Sequence, residues 1–460
     1  MYDVIIVGSG TAGLCAAYEL NKLDENMKIL VLEKGHAIDK RKCPIIEGNA
    51  KSCVHCPSCS IMSGLGGAGA FSDGKFNFTT AFGGWLTDYI DTKEVNDLIE
   101  YVDQINVKFG ATLERFSTDT KEAQALEKKA LEYDLHLLQA QCKHLGTENN
   151  LKILTNMYNY LVDKVEFKFD TNVLEIKNNS TYWTVETKKN TYDCKAVVVA
   201  PGRSGAEWFL NICKNLRIKT INNQVDIGVR VELPALIFKH ITDVVYESKL
   251  VYRTKRYGDS IRTFCMNPFG QVVTENTDDI ITVNGHSYSD PTLQSNNTNF
   301  ALLVSSYFTE PFKEPYQYGK HIAALSNMLG GGVIVQRYGD LINGRRTNEH
   351  RLNKSTVRPT LNATPGDLSL VLPKRQLDDI IEMLQALNNI APGTTNDDTL
   401  LYGVETKFYS GRIKLDNNLE TDLPNLYAIG DGAGITRGLA QAGASGIKVA
   451  RSIYTKLKKV

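Results

Sequence analysis

The sequence predicts an α/β fold: one domain assembled from discontinuous stretches, a second mixed α/β domain, and a helical insertion. Three observations predict it. The chain opens on an apolar run at residues 4–7, followed directly by Gly8-Ser9-Gly10-Thr11-Ala12-Gly13. A second apolar run at 196–200 ends in Pro201-Gly202. A third, at 426–429, leads into Gly430-Asp431-Gly432-Ala433-Gly434. Short apolar runs bounded by glycine or proline have the pattern of core strands.

Taken in order, residues 4–7 read as a strand and 11–21 as a helix. Ala12, Ala16 and Ala17 are small enough to let that helix pack closely. Residues 28–32 read as a second strand ending at Glu33, which completes a β-turn-α-β unit. G-x-G-x-x-G alone is a weak signal. Here it follows a strand, opens a helix, and has Glu33 placed 20 residues beyond Gly13. That is the context of a Rossmann-like dinucleotide site. Gly8 permits the tight turn, Gly10 lets backbone approach a pyrophosphate, and Gly13 lets the helix pack on the strand. Thr11 and Ala12 begin a helix whose unpaired N–H groups face the phosphates. Glu33 is expected to accept from the adenosine ribose, and Lys34 and Val173 are further expected cofactor contacts.

Residues 36–85 combine Cys43, the run Cys53-Val54-His55-Cys56-Pro57-Ser58-Cys59, and a glycine-rich stretch from Gly64 to Gly84. So many glycines suit a loop that approaches a ligand, not a helix. C-x-x-C-x-x-C with a remote fourth cysteine suits a [4Fe–4S] cluster on Cys43, Cys53, Cys56 and Cys59. Zinc on the same thiolates, with His55 able to replace one, is the alternative, and unligated thiols or a redox disulfide are the third reading.

Residues 92–162 read as helical, on the spacing of Leu126, Ala130, Leu131, Leu135 and Leu138. Residues 165–190 read as two or three strands. Residues 210–400 mix strands and helices, with turn signals at Asn267-Pro268-Phe269-Gly270 and Asn284-Gly285. Gly330-Gly331-Gly332 lacks a preceding strand and an acidic partner, so no second dinucleotide domain is expected. Residues 438–457 read as a closing helix.

Lys+Arg and Asp+Glu both number 52. This balance offers no net field for nucleic acid or an anionic membrane. No apolar run approaches the length of a membrane span. The first residues lack the basic segment and cleavage site of an export signal. The nine cysteines are odd in number and not spaced as a disulfide framework. Reduced thiols in a cytoplasm are expected.

The stretch Thr421-Asp422-Leu423-Pro424-Asn425-Leu426-Tyr427-Ala428-Ile429-Gly430-Asp431 resembles the second FAD motif of glutathione-reductase-like flavoproteins. The resemblance implies FAD, with Asp431 on a ribityl hydroxyl and Gly432-Ala433 opening toward the pyrophosphate and the flavin's pyrimidine edge. Ala200-Pro201-Gly202 resembles the strand that returns to the same domain. The whole chain is similar to a family of uncharacterised FAD-dependent dehydrogenases, distantly related to geranylgeranyl reductases. The likeness is carried by Gly66-Gly67-Ala68-Gly69-Ala70-Phe71-Ser72-Asp73-Gly74-Lys75, His144-Leu145-Gly146-Thr147, Gly228-Val229-Arg230, Phe264-Cys265-Met266-Asn267-Pro268, Asp367-Leu368-Ser369-Leu370-Val371-Leu372-Pro373 and Gly403-Val404-Glu405-Thr406. Two departures stand out: Lys407 where the family has arginine, and Asp431 where it has glutamate.

The expected organisation is an FAD-binding domain from 1–85, 165–210 and 403–460, a helical insertion at 86–164, and a substrate domain at 211–402. The expected reaction moves a hydride between flavin N5 and a C–C or C–N bond of a small or lipid-like metabolite. The Gly64–Lys75 loop is the expected flavin face, through Gly67, Ser72, Asp73, Gly74 and Lys75. Lys75, Asp73 and His144 are the candidate catalytic groups, although Asp73-Gly74 is equally a plain turn and Lys75 a solvated cation. Arg412 and Gln441 are candidate anion or flavin contacts. Electrons would come from NAD(P)H, a protein donor, or the cysteine-ligated centre. A nucleic-acid-modifying flavoprotein and a non-catalytic flavin or metal redox sensor are the competing readings.

Overall fold

The structure is a computed structural model. It describes every residue except 45, 51–53, 55, 73, 117, 118, 139, 140, 222, 278, 289, 309–313, 408–410, 459 and 460. Asp73, Cys53 and His55 therefore lie outside the described residues. The chain forms two compact units. The first comprises Met1–Arg115, Cys142–Ile221 and Ser410–Val460, and the second Phe116–Gln141 and Asn222–Tyr409.

The first unit is organised by a parallel core. Tyr2–Val7 pairs with Ile29–Leu32 on one side and with Thr191–Val199 on the other. Glu166–Lys168 extends the sheet beyond Ile29–Leu32, and Leu426–Ala428 extends it beyond Thr191–Val199, both in parallel. The spatial order of these five strands is third, second, first, fourth, fifth, the order of a dinucleotide-binding sheet. Val4, Ile5 and Ile6 are apolar without alternation because helices cover both faces of such a sheet. Val173–Asn178 and Trp183–Thr187 add an antiparallel ribbon through the first half of Thr191–Val199.

The helix Thr11–Leu23 packs on the closing helix Leu439–Leu457. The contact is close because it is made of small residues: a Cβ on Gly446 would lie 2.2 Å from the Ala12 carbonyl oxygen. Thr92–Lys108 joins the closing helix from outside, burying Val95, Leu98, Ile99 and Val102.

The second unit is an eight-stranded sheet. Its order is Thr364–Pro365, Ile334–Arg337, Leu400–Lys407, Val225–Pro234, Asn297–Ser306, Ser260–Asn267, Lys249–Arg253, Leu135–Leu138. All neighbours but the first pair run antiparallel. Ala235–Thr242 and Lys374–Ile390 pack on the sheet and share its apolar core.

Four expectations are corrected. The stretch 86–164 is not one helical insertion, because it divides between the units. Leu135 and Leu138 sit in a strand, since Asp134 at φ 59 ends the helix Lys121–Leu131 and pairing with Lys249–Arg253 overrides the helical spacing. Residues 403–407 belong to the second sheet, where Leu400–Lys407 is an interior strand beside Val225–Pro234. Asn284-Gly285 is no turn but part of the strand Ile280–His286, opposite Gln271–Thr277. Among the described residues no helix is long and apolar enough to cross a membrane.

Candidate cofactor-binding site

Four glycine-bearing segments of the first unit meet backbone to backbone. Gly8, at φ 107, turns the chain from strand into helix, and a Cβ on it would lie 2.1 Å from the Ala200 carbonyl oxygen. Gly13 stacks on Gly8 in the same way, at 2.0 Å from its carbonyl oxygen. A Cβ on Gly432 would lie 2.2 Å from the Gly202 oxygen and 2.6 Å from Pro201 Cγ. Gly430, at φ 75, faces the Ala12 methyl. Gly66 bridges to Gly10 and donates to the Ser9 carbonyl at 2.8 Å, and a Cβ on Gly67 would lie 3.1 Å from Gly10 Cα.

Gly10 caps the helix Thr11–Leu23 with no side-chain hydrogen bond. The first N–H groups, on Thr11, Ala12 and Gly13, are therefore left to a ligand. Bare amides in a glycine-walled cradle suit a pyrophosphate, so the residues present fit a dinucleotide.

Glu33 is more committed to the protein than its spacing suggested. Oε2 accepts from the Ser9 amide and the Ser9 hydroxyl, both at 2.9 Å. Oε1 accepts from the Gly35 and Gly64 amides at 2.8 and 3.0 Å. A carboxylate has about four acceptor positions, so a ribose hydroxyl reaches Glu33 by displacing one of these donors. Lys34 donates to the Ser204 carbonyl at 3.0 Å. Val173 is buried at the start of its strand, and the nearby Thr171 amide donates to the Glu33 carbonyl. Asp431 accepts from the Thr436 hydroxyl at 2.7 Å. The Gly430 amide donates to the Ser445 hydroxyl at 3.3 Å.

The 64–75 loop is gripped from two sides. Arg41, buried, donates to the carbonyls of Ser60, Ile61 and Leu65 at 2.9, 2.9 and 2.5 Å, and its guanidinium covers the Phe71 ring at 4.6 Å. Burial pushes its pKa down to about 10, against the opposing pull of Glu33 and Cys59. From the other side Asn150, on the helix Thr147–Leu161, donates to the Gly69 carbonyl at 2.5 Å. Ser72 directs its hydroxyl to the Gly69 carbonyl within its own turn.

Gly74 accepts from the Leu145 amide at 3.1 Å. The strands Lys75–Phe78 and Gln141–His144 pair as a two-stranded sheet. Lys75 and His144 are thus brought to adjoining strands, although 69 positions separate them in sequence.

Gln441 donates to the Phe82 carbonyl at 3.1 Å, while its amide oxygen is buried with no partner among the described residues. Arg412 pairs with Asp88 at 2.7 Å and lies over Trp85 and Tyr89, so its charge is already answered within the protein. Arg437 covers Trp85 at 4.5 Å. Cys43, Cys56 and Cys59 carry no disulfide, and among the described residues no three His, Cys, Asp or Glu side chains gather to hold a metal. Arg41, Asn150 and Trp85 had no signal in the sequence. Their roles arise from contacts between distant stretches.

Residues 2–205 match the pyridine nucleotide-disulphide oxidoreductase family, and residues 225–408 match the family described as FAD-dependent protein, C-terminal domain-like. A protein of Clostridium beijerinckii, described as uncharacterized, is 26% identical over 474 residues, covering 98% of this chain and 80% of its own. Among solved structures, glycine oxidase from Geobacillus kaustophilus aligns at 12% identity and TM-score 0.37, covering 98% of this chain and 94% of its own. The Escherichia coli quinol fumarate reductase subunit FrdA aligns at 12% identity and TM-score 0.41, covering 99% and 70%. All these TM-scores lie below 0.5 and lend no substrate to the present chain. With a nucleotide-binding half and an FAD-dependent-protein half in one sequence, and glycine turns shaped for a pyrophosphate, the chain is an FAD-dependent oxidoreductase.

Proposed function

We propose that this oxidoreductase is a dehydrogenase or reductase acting on a C–C or C–N bond of a small or lipid-like metabolite. Bound FAD supplies two-electron chemistry at its N5 atom. The protein's part is to bind, orient and move protons. Thr11, Ala12 and Gly13 offer amides to the pyrophosphate, and Asp431 offers a carboxylate to a ribityl hydroxyl. The Gly64–Gly69 backbone, held between Arg41 and Asn150, makes a rigid wall with few side chains for a flat ring system. Lys75 and His144, on paired strands, are the proposed proton-handling groups, with Asp73 a third candidate.

The observation carrying this reading is the convergence of four segments, at 8–13, 64–67, 200–202 and 430–434, from widely separated parts of the chain. The test is the visible spectrum of the purified full-length protein. The two absorption bands of oxidised flavin are expected, bleaching under anaerobic titration with NADH, NADPH or dithionite. Colourless protein that takes up no added FAD overturns the reading. Lys75→Met and His144→Ala are expected to retain FAD while slowing substrate turnover by about 100-fold. The cysteine loop joins this scheme as an electron inlet only if iron and acid-labile sulfide accompany the protein. Stoichiometric zinc removes it.

A further inference from the structure

The two-stranded sheet that carries Lys75 and His144 is anchored from behind. Its strands are Lys75–Phe78 and Gln141–His144. Successive side chains of a strand point to opposite faces, so Lys143 turns away from the face that His144 presents. The Lys143 side chain is 1% exposed, and its ammonium donates to both carboxylate oxygens of Asp103, at 2.7 and 2.9 Å. Asp103 lies on the helix Thr92–Lys108, with its side chain 7% exposed.

The other strand reaches the same carboxylate through an arginine. Arg115 donates to Asp103 Oδ2 at 2.7 Å and makes two bonds to Glu100, at 2.9 and 2.7 Å. Its guanidinium covers the Phe78 ring at 3.7 Å from the centroid. Two cations thus meet two carboxylates, and the group calls for no further ion.

Asp103 is in turn fixed to the helix that closes the glycine cradle. Its neighbour Val102 packs on Leu439–Leu457 so closely that a Cβ on Gly443 would lie 2.9 Å from Val102 Cγ1. A packed path therefore runs from the closing helix, through Val102 and Asp103, to Lys143 and His144. The Leu145 amide donates to the Gly74 carbonyl at 3.1 Å, which ties the His144 end of one strand to the Lys75 end of the other. Beyond Gly146 the helix Thr147–Leu161 brings Asn150 to the Gly69 carbonyl. One carboxylate holds the sheet, and the segment that leaves the sheet grips the glycine-rich wall.

Burying an ion pair has a desolvation cost, and apolar groups of similar size often hold a core as well or better. Stability alone does not call for a lysine and an aspartate here. What the pair adds is direction, because short charge-assisted bonds fix where the strand lies.

We infer that Asp103 and Lys143 are positioning residues, whose ion pair sets the strand of His144, and with it Lys75, against the cofactor cradle. The inference rests on the reading of Lys75 and His144 as groups that act at the flavin.

The test is the midpoint potential of FAD bound to the full-length protein, titrated anaerobically with dithionite against redox dyes. A cation or proton donor beside the ring favours the more negative, reduced form. His144→Ala and Lys75→Met are each expected to lower the potential by about 30 mV, which for two electrons is about 10-fold in the equilibrium. Asp103→Leu together with Lys143→Met replaces the ion pair by apolar groups. This pair of changes is expected to leave the melting temperature and flavin content near wild type, yet to lower the potential by about 30 mV. Placed on top of His144→Ala and Lys75→Met, it is expected to add no further shift, since it acts through those groups. A folded, flavin-loaded Asp103→Leu/Lys143→Met protein at the wild-type potential overturns the proposal and leaves the roles of His144 and Lys75 standing. If His144→Ala and Lys75→Met themselves leave the potential unchanged, the reading beneath the proposal fails, and the proposal with it. If the paired changes prevent folding, Asp103→Asn, which keeps the size and removes the charge, is judged by the same potentials.

Discussion

The glycine cradle of the first unit and the sheet of the second are built on opposite principles. The first uses backbone: Gly8, Gly10, Gly67 and Gly432 bring chain segments into direct contact, and the first amides of the helix Thr11–Leu23 are left without intrahelical partners. The second uses side-chain charge: Arg230, Glu405, Asp226 and Lys407 lie on one sheet face beneath a strained strand. A backbone cradle fails through steric conflict, and a buried charge network through loss of electrostatic balance. The contrast predicts different responses to single changes.

The largest effect belongs to the steric case. Gly8→Ala sets a methyl 2.1 Å from the Ala200 oxygen at a φ of 107. Neither the parallel pairing of Tyr2–Val7 with Thr191–Val199 nor the turn can yield cheaply. A loss of at least about 3 kcal/mol is expected. Little soluble protein should remain, and its ratio of visible flavin absorbance to protein absorbance should fall to that of apoprotein. A wild-type ratio would mean that these segments do not abut.

Next is the charge network. Arg230→Met strands Glu405, itself 0% exposed, with Lys407 as its remaining cation. About 3–5 kcal/mol of destabilisation is expected in denaturant melts. Adding Glu405→Gln should recover part of it, because the second change removes the stranded charge. Strictly additive losses would show that the two groups are not coupled.

The same contrast explains what the sequence revealed. Glycines needed for close approach recur at fixed spacing beside strands, so Gly8–Gly13, Pro201-Gly202 and Gly430–Gly434 were readable, and their meeting follows from one sheet order. The charge face was not readable. Arg230 and Lys407 stood out only through the family likeness, Arg262 and Lys249 not at all, and it is register that unites residues from these four strands. Asn284-Gly285 misled for a related reason. It has the composition of a turn, but Gly285 is glycine because Arg230 fills the space of a side chain. Leu135 and Leu138 kept helical spacing, while the demand for a strand came from Lys249–Arg253.

A smaller effect tests how buried charge behaves with pH. Asp379, on the helix Lys374–Ile390, is 0% exposed. Burial, together with the nearby Asp259, pushes its pKa up from 3.8 to about 7. Arg375 holds Asp259 below its ordinary value. Between about pH 4 and 7 the folded chain keeps a proton on Asp379 that the unfolded chain has lost. Its contribution is therefore whole at low pH and lost as pH rises through about 7. Asp259 acts oppositely, its contribution being present above about pH 4 and lost below it. Asp379→Asn is expected to flatten the neutral-side decline and raise stability at pH 8 by about 1–2 kcal/mol. An unchanged slope between pH 5 and 8 would place the proton elsewhere.

The smallest expected effect is the sharpest test of the backbone-built site. Lys34 follows Glu33 and carries the charge that a diphosphate would attract. Its ammonium instead donates to the Ser204 carbonyl at 3.0 Å. If amides hold the pyrophosphate, Lys34→Met should change FAD affinity by less than about 3-fold and stability by about 0.5 kcal/mol. FAD binding should also vary little with salt, since oriented dipoles rather than mobile cations supply the field. A cofactor held by Lys34 would behave otherwise, losing about 10-fold in affinity on substitution and more as salt rises. Equilibrium dialysis of FAD at two ionic strengths separates the cases. A marked loss would mean that side-chain charge, not backbone, carries this pocket, and the difference between the two units would disappear.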